Sequence, residues 1–188
     1  MKRASTRRQV AVAPDFSLVQ DAAAFAARAH RHQLRKDGVT PYYSHVVRVA
    51  MTVMSVFGCT DRTAIAAALL HDTIEDTTTD FDDIKDRFGE DVARDVAALT
   101  KNMALPEHER EASYDAQLMT ASWRAKLVKL ADSFDNLHDV ETFPRERRAK
   151  QRRSAKLRAA RAVVIARAQP TSPLVIAAAE MVEKLCRG

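Results

Sequence analysis

With 188 residues the chain can form one domain with a substantial core, and its two cysteines, Cys59 and Cys186, exclude a disulfide framework. Four glycines and 6% aromatic residues in an alanine-rich chain disfavour a sandwich or barrel, and no apolar run nears the roughly 20 residues that span a bilayer. The formal net charge of +5 sits at the ends, in Lys2, Arg3, Arg7 and Arg8 and across residues 145–167, while the middle is nearly balanced. The basic start has no apolar stretch behind it, so it does not read as a secretory signal, and a cytoplasmic protein is expected.

Residues 1–14 are polar and basic and are expected to be a flexible tail ahead of a single domain over 15–188. Ser17-Leu18-Val19-Gln20 matches a helix capping box, and Leu18, Ala22, Phe25, Ala26 and Ala29 keep helical spacing to about His32. A charged turn follows at Arg35-Lys36-Asp37-Gly38, and Pro41 disfavours helix at Thr40. The second helix starts near Ser44 or His45, buries Val46, Val49, Ala50, Val53, Met54 and Phe57, and stops at Gly58. Thr60 or Asp61 caps a third, and Thr79 or Asp80 opens a short fourth with Phe81, Ile84 and Phe88 inside. Further helices are expected over residues 90–99 and 107–119, and another behind the cap Ser122 that buries Leu127, Leu130 and Ala131. Basic residues 145–168 keep helical periodicity, and a last helix runs from Pro173 to Leu185. No strand of credible length is present. The class is all-α, with eight or nine helices.

Residues 64–78 organise the rest. An apolar run ends abruptly in His71, Asp72, Glu75 and Asp76. Desolvated like charges repel, and a helix C-terminus already carries partial negative charge, so these acids need a positive partner. A metal ion is the simplest one. Adjacent His71 and Asp72 can converge on one ion only where the helix bends or ends. Elsewhere His45 opens an apolar helix, Asp132 interrupts Leu127-Val128-Lys129-Leu130-Ala131, and Asn136 follows on the same face as Asp132. His45, His71, Asp72 and Asp132 thus form a two-His, two-Asp set that suits a divalent ion, with positions left for water or phosphate oxygen. Manganese or iron fits such mixed octahedral ligation better than zinc, which accepts the same donors. Glu75 and Asp76 would stand just outside, placed to orient water or accept its proton. Arg35 and Lys36 would supply the positive charge a polyphosphate requires.

His45…His71-Asp72…Asp132 is similar to the pattern of the HD-domain metal-dependent phosphohydrolases. Within them, His71-Asp72-Thr73-Ile74-Glu75-Asp76-Thr77 resembles the HDxxEDT signature of the RelA/SpoT-type alarmone hydrolases. The Arg35-Lys36-Asp37…Thr40-Pro41-Tyr42…His45 segment and Lys126-Leu127-Val128-Lys129-Leu130-Ala131-Asp132…Asn136-Leu137 agree, so the resemblance spans residues 21–139. It is greatest to the small stand-alone hydrolases. The resemblance implies a helical HD fold, usually Mn²⁺ on His45, His71, Asp72 and Asp132, and removal of the 3′-pyrophosphate from (p)ppGpp to give GDP or GTP. It implies that Glu75 and Asp76 activate the water, that Arg35 and Lys36 contact base and phosphates, that Asn136 lies on the ribose side, and that Lys101 is a pocket residue. Bifunctional members carry a synthetase domain after this one; 188 residues leave no room for it, so no synthesis is expected if the chain is complete. The same centre could act on (p)ppApp or on a ribose phosphate of NADPH. A non-catalytic nucleotide- or nucleic-acid-binding regulator is the alternative of a different class.

The chain departs from the family pattern before Asn136, where a basic residue and then Tyr or His are common and Ser133, Phe134 and Asp135 stand here. An acid at position 135 pointing inward is expected to repel a polyphosphate and to change the preferred nucleotide. Residues 145–167 read as a solvated basic face; as a functional patch they would attract an anionic nucleotide, and they lack the interleaved aromatics of a nucleic-acid platform. A nucleotide is therefore the expected partner, with no membrane and no nucleic acid, and an oligomer is compatible with the sequence. His30, His32, His108 and His138 read as surface or packing residues.

Overall fold

The structure, a computed structural model, describes residues 16–168 and 172–187; the expected tail over residues 1–14 lies outside the described residues. Among the described residues there are nine helices of eight residues or more, one α-helical turn and a 3₁₀ turn (Asp139–Thr142), and the only bridge is the isolated Leu34–Pro41 pair. In chain order the α-helical elements are α1 (Ser17–Ala29), α2 (Tyr43–Met51), α3 (Arg62–Leu70), the turn α4 (Thr73–Asp76), α5 (Phe81–Phe88), α6 (Glu90–Leu99), α7 (Glu107–Thr120), α8 (Trp123–His138), α9 (Arg145–Ala168) and α10 (Pro173–Arg187). The all-α expectation holds.

Helix α3 is the axis of the molecule. Asp61 caps it by accepting the Ala64 N–H at 2.8 Å, and Arg124 on α8 donates to the same carboxylate at 2.9 Å. Every residue from Ala64 to Leu70 is buried, because α1, α2, α6 and α8 surround the helix. Its four alanines let those neighbours approach closely, while Ile65, Leu69 and Leu70 fill the gaps, each stabilising by roughly 1.5–3 kcal/mol. Helices α8, α9 and α10 pack on one another as a second group against this core. Among the described residues no helix is long and apolar enough to cross a membrane.

Two local expectations are corrected. Helix α1 begins at Ser17 itself with Phe16 in the cap position, so the capping box at Ser17 does not form. Helix α2 passes into a π-helical turn (Thr52–Val56), closed by a 2.9 Å bond from the Phe57 N–H to the Thr52 carbonyl. The wider turn advances the register. Val53 and Phe57 stay buried, but Met54, expected inside, faces solvent.

Candidate metal centre and nucleotide pocket

The chain changes direction where the acids begin. Helix α3 ends at Leu70, and Asp72 takes φ −101° and ψ 0°, after which α4 starts afresh at Thr73. This break turns the adjacent His71 and Asp72 side chains onto one point: His71 Nε2 lies 3.0 Å from Asp72 Oδ2. Helix α2 brings His45 from its first turn, with Nε2 3.6 Å from Asp72 Oδ2 and 3.3 Å from Asp132 Oδ1 on α8. One donor atom each of His45, His71 and Asp72 lie within 4.8 Å of one another. The structure thus brings together all four residues expected as ligands.

Both imidazoles are oriented from behind. His71 Nδ1 is 2.8 Å from the Ala68 carbonyl and His45 Nδ1 is 2.7 Å from Asp135 Oδ2; neither oxygen can donate, so each Nδ1 carries the hydrogen. In the neutral rings Nε2 is then the bare lone pair, and both Nε2 atoms point into the cluster. His71 Nε2 is buried without a hydrogen-bond partner, although Asp72 Oδ2 is only 3.0 Å away. With the ring neutral, these are two lone-pair atoms in contact, the arrangement of neighbouring ligands on one cation. Two imidazole nitrogens and two carboxylates fit a divalent cation. Burial works to lower His71, but the Asp72 and Asp132 carboxylates overcome it and push it up to about 9. A divalent cation binding there would displace that proton.

Glu75 and Asp76 flank this cluster. The Lys101 amide donates to Glu75 Oε2 at 2.8 Å, and Gln33 donates to the Asp76 carbonyl. Burial, with the neighbouring Asp72 charge, raises both carboxyls above their ordinary range, against the opposing Lys101 amide at Glu75. Tyr42 donates its hydroxyl to Asp72 Oδ2 at 2.6 Å and stacks obliquely on His30. His30, expected as a surface or packing residue, is buried there, bonded through Nδ1 to Gln33 at 2.6 Å.

A cavity of about 360 Å³ opens from the cluster, and all ten residues expected in the site line it. Arg35 is already held by Asp139 at 2.6 Å and Asn136 at 3.3 Å, and Asn136 in turn donates to Asp132 Oδ1 at 2.5 Å. Lys101 pairs with Glu111 at 2.6 Å. Sequence reasoning misses three groups here: Tyr42, Lys129, which bonds Asp132 at 2.9 Å, and Arg158 of α9. Lys129 stands three residues before Asp132, a helical spacing that could have shown the pair. Along α9, Arg148 and Arg152 pair with Glu141, Arg161 with Glu111 and Asp115, and Arg167 with Glu183, so four of the ten cations of residues 145–167 are held in ion pairs. Arg158 differs. It faces the cavity, and among the described residues neither it nor Lys36 has an ion-pair partner.

Asp135 does not point into the site. It does not line the cavity; it lies behind His45, where Arg48 grips both its oxygens, Nε to Oδ1 at 2.6 Å and Nη2 to Oδ2 at 2.9 Å. Three residues along α8 from Asp132, it faces α2, whereas Asn136, four along, faces the cavity. Its charge is matched and turned away from any ligand there.

Residues 22–160 match the family model for the HD domain, and the chain belongs to the HD-domain family. It is 42% identical over 139 residues to the guanosine-3′,5′-bis(diphosphate) 3′-pyrophosphohydrolase MESH1 of Xenopus tropicalis, covering 73% of this chain and 78% of that one. The human protein of the same name is 46% identical over 121 residues, covering 64% of this chain and 68% of its own. A solved structure described as a metazoan orthologue of SpoT that hydrolyses ppGpp superposes with a TM-score of 0.76 at 33% identity, over 95% of this chain and 99% of that one. The resemblance carried by the HDxxEDT stretch is borne out over more of the chain than the motifs cover.

Proposed function

We propose that the protein is a metal-dependent (p)ppGpp 3′-pyrophosphohydrolase that releases pyrophosphate and leaves GDP or GTP. The observation that carries this is the convergence of two oriented Nε2 atoms with Asp72 and Asp132 at the base of a cavity edged by cations. The names of its relatives support the same reading. His45, His71, Asp72 and Asp132 would hold the ion, Mn²⁺ in our reading, with Fe²⁺ or Zn²⁺ accepting the same donors. The chemistry supplied by such an ion is polarisation of a phosphoryl oxygen and acidification of water.

The chain's own residues do the rest. Water oxygen forms a bond to the phosphorus nearest the ribose, the bond from that phosphorus to the 3′ oxygen breaks, and the 3′ oxygen takes a proton from solvent and leaves as the ribose hydroxyl. Glu75, held by the Lys101 amide and raised by burial, takes the water's proton; Asp76 stands beside it. Arg35 and Asn136, fixed against each other and against Asp132, set the ribose and base relative to the reacting phosphate. Lys101 lines the same wall.

Lys36 and Arg158, without carboxylate partners, meet the phosphates farther from the reaction. Lys36 is lowered by burial and then by Arg158, as expected of two cations placed to share an anion. Lys36→Ala and Arg158→Ala should each raise KM about tenfold with kcat little changed, and the difference from wild type should shrink at high salt. Steady-state kinetics with ppGpp at low and high ionic strength checks this. A fall in kcat at unchanged KM would remove these two residues from phosphate binding.

A further inference from the structure

We propose that Asp135, clamped by Arg48, is a positioning residue that fixes the ring orientation and tautomer of His45 and thereby sets the affinity of the metal centre. The inference rests on the reading of His45 as a ligand. His45 is 1% exposed and Asp135 5%, so the contact between them is shielded from solvent. Among the described residues, the bond from His45 Nδ1 to Asp135 Oδ2, at 2.7 Å, is the only hydrogen bond of the His45 ring on the side away from the cluster. It determines which nitrogen keeps the proton and which offers a lone pair, and it stops the ring turning about its bond to Cβ.

A buried carboxylate can do this only if its own position and charge are secured. Arg48, one turn beyond His45 on α2, secures both through its two-pronged grip. The chain of charge goes on: Arg48 Nη2 donates to Asp139 Oδ1 at 3.0 Å, and Asp139 Oδ2 holds Arg35. Behind the His45 ring, Asp135, Arg48, Asp139 and Arg35 therefore alternate in sign from the metal cluster to the cavity wall. Neither Asp135 nor Arg48 lines the cavity, so whatever they contribute passes through His45 and Arg35.

The test is Mn²⁺ titration of the metal-stripped full chain, reading free Mn²⁺ by electron paramagnetic resonance, beside thermal unfolding of the stripped proteins. Asp135→Ala should weaken Mn²⁺ binding about 10- to 100-fold. Asp135→Asn keeps an oxygen that can accept from Nδ1–H and should recover most of that loss. Arg48→Met should fall between them. Unchanged Mn²⁺ affinity in Asp135→Ala, with only a lower Tm of the stripped protein, would overturn the proposal and leave Asp135 a packing residue. Equal losses in the Ala and Asn variants would overturn it too, because the accepting oxygen would then not matter. His45→Ala separates the two readings: if it binds Mn²⁺ like wild type, the ligand assignment fails and this inference with it. If Asp135→Ala weakens binding in a protein that turns over no nucleotide tested, the inference stands and the substrate reading fails.

Discussion

Asp72→Ala is expected to leave the purified protein without bound metal and without turnover. Asp72 Oδ2 is the shared corner of the cluster, 3.0 Å from His71 Nε2 and 3.6 Å from His45 Nε2, and it accepts the Tyr42 hydroxyl at 2.6 Å. Replacing even an outer-sphere partner of a metal ligand typically costs about 10- to 100-fold in affinity, so loss of a ligand should exceed about 100-fold. The variant should still fold. Asp72 is one of several crowded acids, and its removal relieves repulsion on Glu75 and Asp76, both of which it raises. Elemental analysis of the purified variant, with circular dichroism for helicity, checks both points. Wild-type metal content in Asp72→Ala would refute the ligand assignment.

Glu75→Gln is expected to do the reverse, keeping the metal and losing turnover. The side chain keeps its shape and can still accept the Lys101 amide, so what is lost is the capacity to take a proton. General-base catalysis contributes about 10²–10⁴, and kcat should fall by that order. The pH dependence follows from the same group. A base works when ionised, and burial first, then the Asp72 and Asp76 charges, raise the Glu75 carboxyl above its ordinary range. Activity should therefore fall as the pH drops through that raised value, and the acid limb of kcat/KM should lie above the usual glutamate range. Glu75→Gln should lack this limb. Full activity in the variant would remove Glu75 from the mechanism.

Much of this site is legible in the sequence because buried acids are hard to explain otherwise. Asp132 inside an apolar helix face, and His71-Asp72 closing an apolar run, both announce a compensating charge from residue order alone. The break after α3 is legible too, since two adjacent side chains cannot converge on one point of an unbroken helix. Helix caps such as Asp61 and Ser122 follow from local rules and are formed. What escapes depends on packing between segments distant in sequence. Asp135 reads as a repulsive acid until α2 is placed against α8 and Arg48 meets it. The π turn after Met51 leaves no signature in hydrophobic spacing, so spacing alone puts Met54 on the wrong face. Arg158 is one of many cations along α9, and only the position of that helix over the cavity sets it apart from the others.

The measurement closest to the central claim is a product assay on the metal-stripped and Mn²⁺-reloaded protein, with ppGpp, pppGpp, ppApp and NADPH in parallel. Mn²⁺ should restore release of one pyrophosphate per GDP or GTP from ppGpp and pppGpp, and chelator should abolish it. Pyrophosphate release that ignores chelator, or a Mn²⁺-loaded protein that cleaves neither guanosine substrate, would contradict it.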